Sequence, residues 1–408
     1  MKVWQTIIIG AGAAMLGTAA HGQAFLDQVD EALHLEAKDG WFRTDLSGTI
    51  DLEGYYIDQN PPGLIFPDDD FYFNPRLSLF LDAHFGEHFY SFVQFRADRG
   101  FDPGAKDRDA RFDEYVLRYK PFDEAWVNVQ VGKFATVFGE WVNRHDSWNN
   151  PFITAPLAYE NVTTITDQVA PGAPGGFLGR KNVADKKDAW LPVLWGPAYT
   201  SGAAIFGRIG QFDYAVDFKN ASISSHPFVW DARHLSWEHP TWSGRLGWRP
   251  NASWKLGVSA SYGPYLLPVA ETTLPAGKTL DDFVQTTVGY DVSYAWRNWQ
   301  LWGEFIFSRF EVPNVGNADT AVYFIEGKYK LSARTFAALR WNQQFFDPVT
   351  NGAGGEADWD NDAWRLDAAL GCRLTRHLQG KLQYSYNHQK GGQQQGEQLV
   401  AVQATVKF

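Results

Sequence analysis

Apolar and polar residues alternate with a period of two along most of the chain from residue 42 onward. In one early run, Ile50 and Leu52 share one parity, while Asp51 and Glu53 share the other. Alternation of this period predicts β-strands with an apolar face on one side and a polar face on the other. The predicted fold class is therefore all-β, but alternation alone fits a soluble sandwich as well as a barrel.

The connections between these runs alternate between short turns and long polar stretches. Short turns are predicted at Gly86-Glu87, Pro121 to Glu124, Gly210-Gln211, Pro250 to Ala252, Arg297-Asn298, Leu331-Ser332 and Leu374-Thr375. Long stretches rich in Gly, Pro, Asp and Asn run over 58–70, 99–111, 135–198, 220–240, 263–283, 311–320, 347–360 and 388–397. Hairpins joined in this order give about 16 antiparallel strands, with both chain ends on the side of the short turns. Short turns at one end and long loops at the other are the layout of a transmembrane β-barrel.

Charged residues on the polar face favour the barrel over the sandwich. Residues of that parity include Arg96, Asp98, Arg118, Lys219, Arg245, Arg249, Lys255, Asp291, Glu304, Glu326, Lys328, Arg340, Arg365, Asp367 and Lys381. A sandwich interior cannot hold so many charges, whereas a water-filled lumen can. Aromatic residues such as Tyr56, Trp248 and Trp299 lie near strand ends, where a barrel carries its aromatic girdles. Because a backbone in lipid must pair all its polar groups internally, residues 42–408 are predicted to form a closed barrel.

The N-terminus has the features of a secretory signal peptide. A basic start is followed by the apolar run Ile7 to Leu16, and the small residues Gly22 and Ala24 precede a plausible cleavage site before Phe25. We expect residues 1–24 to be removed and residues 25–41 to form a short periplasmic segment. The protein is therefore predicted to leave the cytoplasm.

Composition excludes several other classes of function. A formal net charge of −11 argues against a protein whose main task is to bind nucleic acid. Cys372 is the single cysteine of the chain, which excludes internal disulfides and multi-thiolate metal sites. We predict neither a metal nor a cofactor.

The end of the chain adds a family resemblance. The last strand carries Val400, Val402, Ala404 and Val406 on one face and ends on the aromatic residue Phe408. With the signal peptide, the strand count and the oversized third outer loop, the whole mature chain resembles the bacterial outer-membrane porin superfamily. The stretch from Val131 to Gly139 is similar to the GK-x-x-x-x-x-G strand end of phosphate-selective-type porins.

The resemblance implies a water-filled channel in the outer membrane of a Gram-negative-type bacterium. Such a channel contacts outer-membrane lipids, passes small hydrophilic solutes or ions by passive or facilitated diffusion, and assembles as a homotrimer. Phosphate-selective porins would imply a pore lined by basic clusters. Loop 135–198 holds five basic against six acidic residues, so phosphate selectivity is not predicted.

The third outer loop, residues 135–198 and named loop L3 below, is the predicted constriction. Its length exceeds that of ordinary connections, and its mix of aromatic and hydrogen-bonding residues favours order. In porins the equivalent loop folds into the barrel; the alternative is a cap that never enters the lumen. The candidate pore-lining residues of loop L3 are Glu140, Arg144, Asp146 and Trp148.

A basic wall is predicted to face these loop residues. Strand parity places Arg76 and Arg96 side by side at similar height, and Arg118 and Lys133 are expected to extend the wall. Opposed to an acidic loop residue, such a wall would set a transverse field and an ion preference. The alternative is local neutralisation by the carboxylates of Asp82, Asp98 and Glu114.

Three other functions were weighed. An oligosaccharide port would grip sugars with the loop aromatics Phe228, Trp230 and Trp237. An outer-membrane barrel enzyme is disfavoured, because Ser147 near His145 and Asp146 lacks a Gly-x-Ser-x-Gly elbow. A structural sheath around a partner should lack a plugging loop. We therefore predict a porin and no catalytic residues.

Overall fold

Period-two alternation produces long antiparallel strands in the computed structural model. It describes residues 25–59 without 30 and 38, 70–99, 109–183 without 123, 189–391 without 235–236, and 396–408. The predicted signal peptide, residues 1–24, lies outside these ranges, as do parts of the predicted outer loops.

The described strands are numbered here in chain order. They are β1 (His34–Glu36), β2 (Phe42–Ile57), β3 (Phe71–Phe85), β4 (Phe89–Asp98), β5 (Asp109–Tyr119), β6 (Asn128–Phe134), β7 (Val162–Ile165), β8 (Leu191–Pro192), β9 (Thr200–Ile209), β10 (Phe212–Lys219), β11 (Thr241–Trp248), β12 (Trp254–Pro264), β13 (Val284–Trp296), β14 (Trp299–Val312), β15 (Gly316–Lys330), β16 (Thr335–Phe346), β17 (Pro348–Thr350), β18 (Glu356–Asp358), β19 (Ala363–Arg373), β20 (Leu378–Gln389) and β21 (Gly396–Lys407).

The described helices are short. Residues 25–29 and 31–32 are helical, and Pro174–Leu178 is an α-helix. Six 3-10 helices lie within the outer loops, at Trp141–Arg144, Leu157–Tyr159, Gly179–Asn182, Pro227–Val229, Pro268–Thr273 and Leu280–Asp282. No helix in the described part of the chain is long and apolar enough to cross a membrane.

Sixteen of the strands form one closed antiparallel barrel, which confirms the predicted fold class. Each barrel strand pairs with the next one along the chain, and β21 pairs back onto β2 with Ile50 opposite Val406. The short strand β1 pairs with β2 beyond the end of β21, through His34 opposite Asp45. A β-bulge between β4 and β5 shifts the register around Asp113, so lumen parity in β5 changes from odd to even there.

The two faces of the strands have the predicted environments. On β2, Ile50 and Leu52 are 42% and 49% exposed on the outside, while Asp51 and Glu53 are each 1% exposed on the inside. The seven short turns lie where the sequence places them. The barrel therefore has an apolar outer surface and a polar interior.

One predicted outer loop is wrong. Strand β14 continues to Val312 and β15 begins at Gly316, so most of residues 311–320 are strand and only residues 313–315 form a tight turn. The physical reason is burial, because Phe310, Val312 and Ala318 are covered by other outer loops. Apolar cover at this height keeps the upper ends of both strands paired.

A hydrophobic core lies at the outer end, between the loops. Large rings from three different connections meet there, among them Phe177, Trp195, Trp230 and Trp359, each at most 2% exposed. Leu267, from the loop between β12 and β13, joins the same cluster. The outer loops are thus held together by their own apolar core.

Candidate functional site

Loop L3 runs through the interior of the barrel. Near its start, the carboxylate of Glu304 on β14 accepts hydrogen bonds from the backbone nitrogens of Glu140 (2.9 Å) and Trp141 (2.5 Å). Farther along, the ammonium group of Lys381 on β20 donates to the carbonyl oxygens of Ser147 (2.7 Å) and Asn150 (3.0 Å). Both wall residues lie on inner faces, so the loop crosses the lumen between β14 and β20.

A buried ionic network attaches the middle of loop L3 to the wall. Arg340 on β16 is fully buried, and its guanidinium pairs with Asp367 at 2.8 Å. The same guanidinium donates to the carbonyl oxygens of Thr154 and Ala155 in the loop, both at 3.1 Å. Arg365 on β19 pairs with Glu160 of the loop. The network therefore joins two wall strands to two points of loop L3.

Two glycines of the Val131–Gly139 stretch explain its spacing. Gly132 has φ +137°, and a Cβ there would lie 2.0 Å from the carbonyl oxygen of Tyr115. Gly139 has φ +78°, and a Cβ there would lie 2.2 Å from the hydroxyl of Tyr159. Both positions require glycine, the first where β6 meets β5 and the second where the chain turns into the lumen.

Arg76 and Arg96 lie side by side, as parity predicts, but their charges are balanced by the wall itself. The guanidinium of Arg96 pairs with Asp98 at 2.6 Å and with Asp113 at 3.6 Å. Arg76 pairs with Glu53 and lies 3.9 Å from both Asp51 and Asp98.

Of the predicted neutralising groups, Asp98 has that role here, whereas Asp82 accepts a hydrogen bond from Tyr90 instead. Glu114 accepts a hydrogen bond from the backbone nitrogen of Ala135 at 3.4 Å. The predicted opposition between this basic pair and an acidic loop residue is therefore absent from the contacts of the described residues.

Two members of this cluster, Arg111 and Asp113, were not among the residues predicted from the sequence. Arg111 was assigned to an outer loop, yet it lies on β5 and pairs with Asp98 and Asp113, both at 2.8 Å. Period-two spacing of Arg111 and Asp113 was the available signal. The bulge that follows them hid it, because it reverses the parity before Arg118.

Lys133 does not extend the basic wall. It shares the parity of Val131, which is 49% exposed on the outer face of β6. Its ammonium group donates to the carbonyl oxygen of Phe112 at 3.0 Å and pairs with Asp231 at 3.3 Å. Loop 220–240 covers this charge, so an outward lysine near the barrel rim is shielded from lipid.

The four loop candidates have different environments. Glu140 lies in the lumen and binds Lys255 at 2.7 Å and Arg245 at 3.2 Å. Arg144 pairs with Glu326 and lies over the ring of Trp302, 4.5 Å from its centroid.

The other two loop candidates are Asp146 and Trp148. Asp146 accepts hydrogen bonds from the backbone nitrogens of Trp148 (3.0 Å) and Asn149 (2.9 Å). The ring of Trp148 faces the guanidinium of Arg373. Asp146 therefore stabilises a turn of the loop, while Glu140 faces a wall made by β11 and β12.

Loop L3 leaves a cavity of about 710 Å³ against the opposite wall. It lies at the end of the barrel that carries the short turns, since Tyr90, Asp213 and Arg249 are all close to such turns. Arg118 and Glu140, two of the predicted pore residues, line this cavity. Arg76, Arg96 and Arg144 do not, so the predicted pore residues do not gather at one point.

The three predicted sugar-contact aromatics are also separated. Trp230 is 2% exposed inside the outer core, where its indole nitrogen donates to the carbonyl oxygen of Ser225 at 3.0 Å, and it cannot contact a sugar. Trp237 stacks on Phe218 with ring centroids 5.8 Å apart, and Phe228 stacks on His226 at 5.4 Å. The rings form no common platform.

Comparison with known proteins places the fold. No protein-family model and no curated protein matches the chain. Among solved structures, the chain is similar to an anion-selective porin from Comamonas acidovorans, with a TM-score of 0.56, 11% identity, and coverage of 90% of this chain and 100% of that one. It is similar to the outer membrane channel DcaP of Acinetobacter baumannii, with a TM-score of 0.57, 11% identity and coverage of 92% and 99%.

A third similar structure is a trimer form of OmpT, an outer membrane protein of Vibrio cholerae. Its TM-score is 0.56 at 10% identity, with coverage of 90% of this chain and 99% of that one. At these identities the likeness concerns the fold. The chain therefore has the barrel fold of bacterial outer-membrane porins.

Proposed function

We propose that this protein is an outer-membrane porin that lets small hydrophilic solutes or ions diffuse across the membrane. The observation that carries the proposal is the contrast between the faces of the barrel strands. Apolar side chains cover the outside, while the inner face holds arginines, lysines and carboxylates. An apolar band around a charged, hydrated interior is the design of a transmembrane β-barrel channel.

The solute path in this proposal passes the cavity between loop L3 and the barrel strands β4 to β6 and β9 to β12. That cavity offers both charged and uncharged polar groups, among them Arg118, Gln130 and Asn143. Loop L3 narrows the barrel from the other side and is held by the network around Arg340. A loop attached by so many wall contacts sets a fixed pore width.

Location and assembly belong to the same proposal. Residues 1–24 would direct export, the barrel would insert among outer-membrane lipids of a Gram-negative-type bacterium, and three copies would assemble. The trimer form of the OmpT structure supports a trimer here by analogy of fold. The short turns and residues 25–41 would then face the periplasm.

A hydrolase gains no support from the loop residues that prompted it. Ser147 donates its hydroxyl hydrogen to Asp51 of the wall at 2.7 Å. The imidazole of His145 lies between the carbonyl oxygen of Val142 (2.6 Å) and the hydroxyl of Tyr199 (2.5 Å), and burial lowers its pKa. The serine and the histidine therefore bind separate partners, as a triad does not.

Reconstitution tests the proposal directly. The folded protein, purified from outer-membrane fractions, is added to planar bilayers, and we expect stepwise conductance increases. Proteoliposomes that contain the barrel should swell in small neutral sugars, more slowly as the sugar grows. A folded barrel that produces neither steps nor swelling would contradict the proposal.

A further inference from the structure

Arg118 differs from most arginines of the lumen in that no carboxylate of the described residues pairs with it. Arg76, Arg96, Arg245, Arg340 and others pair with carboxylates of the wall or of loop L3. In the described part of the chain, no carboxylate oxygen lies within 4 Å of the Arg118 guanidinium. Its positive charge is therefore left to the cavity that it lines.

Neighbouring groups hold this guanidinium in one orientation. Its carbon lies 5.0 Å from the ring centroid of Tyr90 and 4.7 Å from that of Phe206. Its Nε and Nη2 atoms donate to Oε1 of Gln130, at 3.3 and 3.0 Å. A guanidinium has five N–H donors, so the Nη1 end retains donors for a ligand. Among the described residues, no hydrogen-bond acceptor occupies that end.

The cavity wall beside Arg118 is apolar, which is unusual inside a charged barrel. Phe92, Val116, Phe134 and Phe206 line it on the inner faces of four strands. Val116 and Phe134 are themselves buried, so the apolar surface that a solute can cover belongs mainly to Phe92 and Phe206. Removing such surface from water favours the binding of a solute with an apolar body. Charge and apolar surface thus meet at one place.

Two carboxylates, those of Glu114 and Asp82, lie close enough to attract the guanidinium of Arg118, but among the described residues neither forms an ion pair with it. Asp82 accepts a hydrogen bond from the hydroxyl of Tyr90. Glu114 accepts one from the backbone nitrogen of Ala135 at 3.4 Å. Opposite, Glu140 is bound by Lys255 and Arg245. The third carboxylate of the cavity lining, that of Asp213, pairs with Arg245 and Arg249. All three therefore have partners other than Arg118.

We infer that this cavity is a binding site for small organic anions that join a carboxylate to a flat apolar body. The carboxylate accepts hydrogen bonds from Nη1 of Arg118, and the apolar body covers Phe92 and Phe206. This inference rests on the proposed channel function, since the solute meets the site on its way through the pore. It adds a solute class to that function.

The test measures channel block by three probes in planar bilayers. Benzoate has both the charge and the ring, acetate has the charge alone, and benzyl alcohol has the ring alone. We expect benzoate to interrupt the current at the lowest concentration. Arg118→Gln should raise the half-blocking concentration of benzoate by about tenfold, as expected for loss of a charged hydrogen bond. Phe206→Ser should weaken benzoate block and leave acetate unchanged.

Arg208→Gln is the matched control. Arg208 is also an inner-face cation near a short turn, but it lies outside the lining of this cavity. We expect the half-blocking concentration of benzoate for Arg208→Gln to stay within about twofold of the wild-type value, which corresponds to a difference in binding free energy well below 1 kcal/mol. An equal effect of Arg208→Gln and Arg118→Gln would overturn the inference and indicate general electrostatic attraction.

Two further outcomes separate this inference from the channel function. Normal conductance with equal block by benzoate and acetate would overturn the binding site and leave the channel intact. Absence of conductance in the folded wild-type protein would overturn the channel function itself. Circular dichroism and heat-dependent gel migration establish folding for each variant. If Arg118→Gln does not fold, Phe206→Ser still decides the matter.

Discussion

Replacing Arg340 with methionine should loosen the middle of loop L3 from the wall, while the contacts of Glu304, Lys381 and Arg365 remain. The guanidinium is fully buried, pairs with Asp367 at 2.8 Å, and donates to the carbonyl oxygens of Thr154 and Ala155 at 3.1 Å. It also lies over the ring of Phe152, 4.2 Å from the centroid. Methionine fills a similar volume but provides none of these hydrogen bonds.

The size of the effect follows from what remains paired. Removal of one partner of a buried ion pair costs about 3–5 kcal/mol when the other charge is left alone. Asp367 keeps Arg365 at 3.1 Å and the hydroxyl of Ser385, so the lower end applies. Thr154 loses the donor to its carbonyl oxygen, which adds about 1–3 kcal/mol if no water replaces it. We expect a loss of about 4–6 kcal/mol in total.

Urea unfolding in detergent micelles, followed by tryptophan fluorescence, measures this loss. Single-channel recording should show a larger and noisier conductance as loop L3 moves away from β16. The matched control is Arg309→Met, which removes an equally well-formed pair with Asp319, at 2.7 Å, from a half-exposed site. We expect a change of about 0–1 kcal/mol and wild-type conductance for this control. Equal stabilities of the two variants, with unchanged conductance in both, would refute the role assigned to Arg340.

Four other expectations concern charge and assembly. Arg76→Ala combined with Arg96→Ala removes two positive charges from a cluster of wall carboxylates that keeps Arg111, so the reversal potential should shift toward cations and the melting temperature should fall; an unchanged potential would contradict the lumen placement. Lys133→Met should leave the reversal potential unchanged, because this side chain is outside the lumen; any shift would place it inside. Burial raises the pKa of Asp360 in an outer loop to about 7. Its stabilising contribution is therefore fully present below about pH 4 and lost as the pH rises through 7, so Asp360→Asn should reduce the difference between melting temperatures at pH 5 and pH 8. Mass measurement in mild detergent should return three chains, and a single chain would contradict the trimer.

Alternation and turn chemistry carried most of the fold prediction. Strand faces follow from a period of two, which is a local property, and five of the seven short turns contain Gly, Pro or Asn. Loop 311–320, which was predicted wrongly, shows where local reasoning ends. Its residues look like a polar connection, but cover by other loops keeps Phe310 and Val312 within strands.

The candidate site was less predictable, because ion-pair partners come from distant parts of the chain. Asp98 pairs with Arg111 across the hairpin of β4 and β5, and the bulge there changes the parity. The predicted lumen placement of Lys133 could have been corrected from the sequence alone, since Lys133 shares the parity of the outward residue Val131. Parity says which face a charge lies on, but the opposing charge depends on how the loop enters the lumen.

Whether a charge in the lumen has an opposite charge beside it decides how ion preference arises in this barrel. An arginine beside its own carboxylates contributes little net field, however many arginines line the wall. Loop L3 neutralises part of the opposite wall too, because Glu140 binds Lys255 and Arg245. Among the described residues, the net field in the cavity then depends most on cations that pair with no carboxylate, such as Arg118, which is held by aromatic rings. Selectivity should therefore respond more strongly to Arg118 than to the larger group of arginines around Asp98.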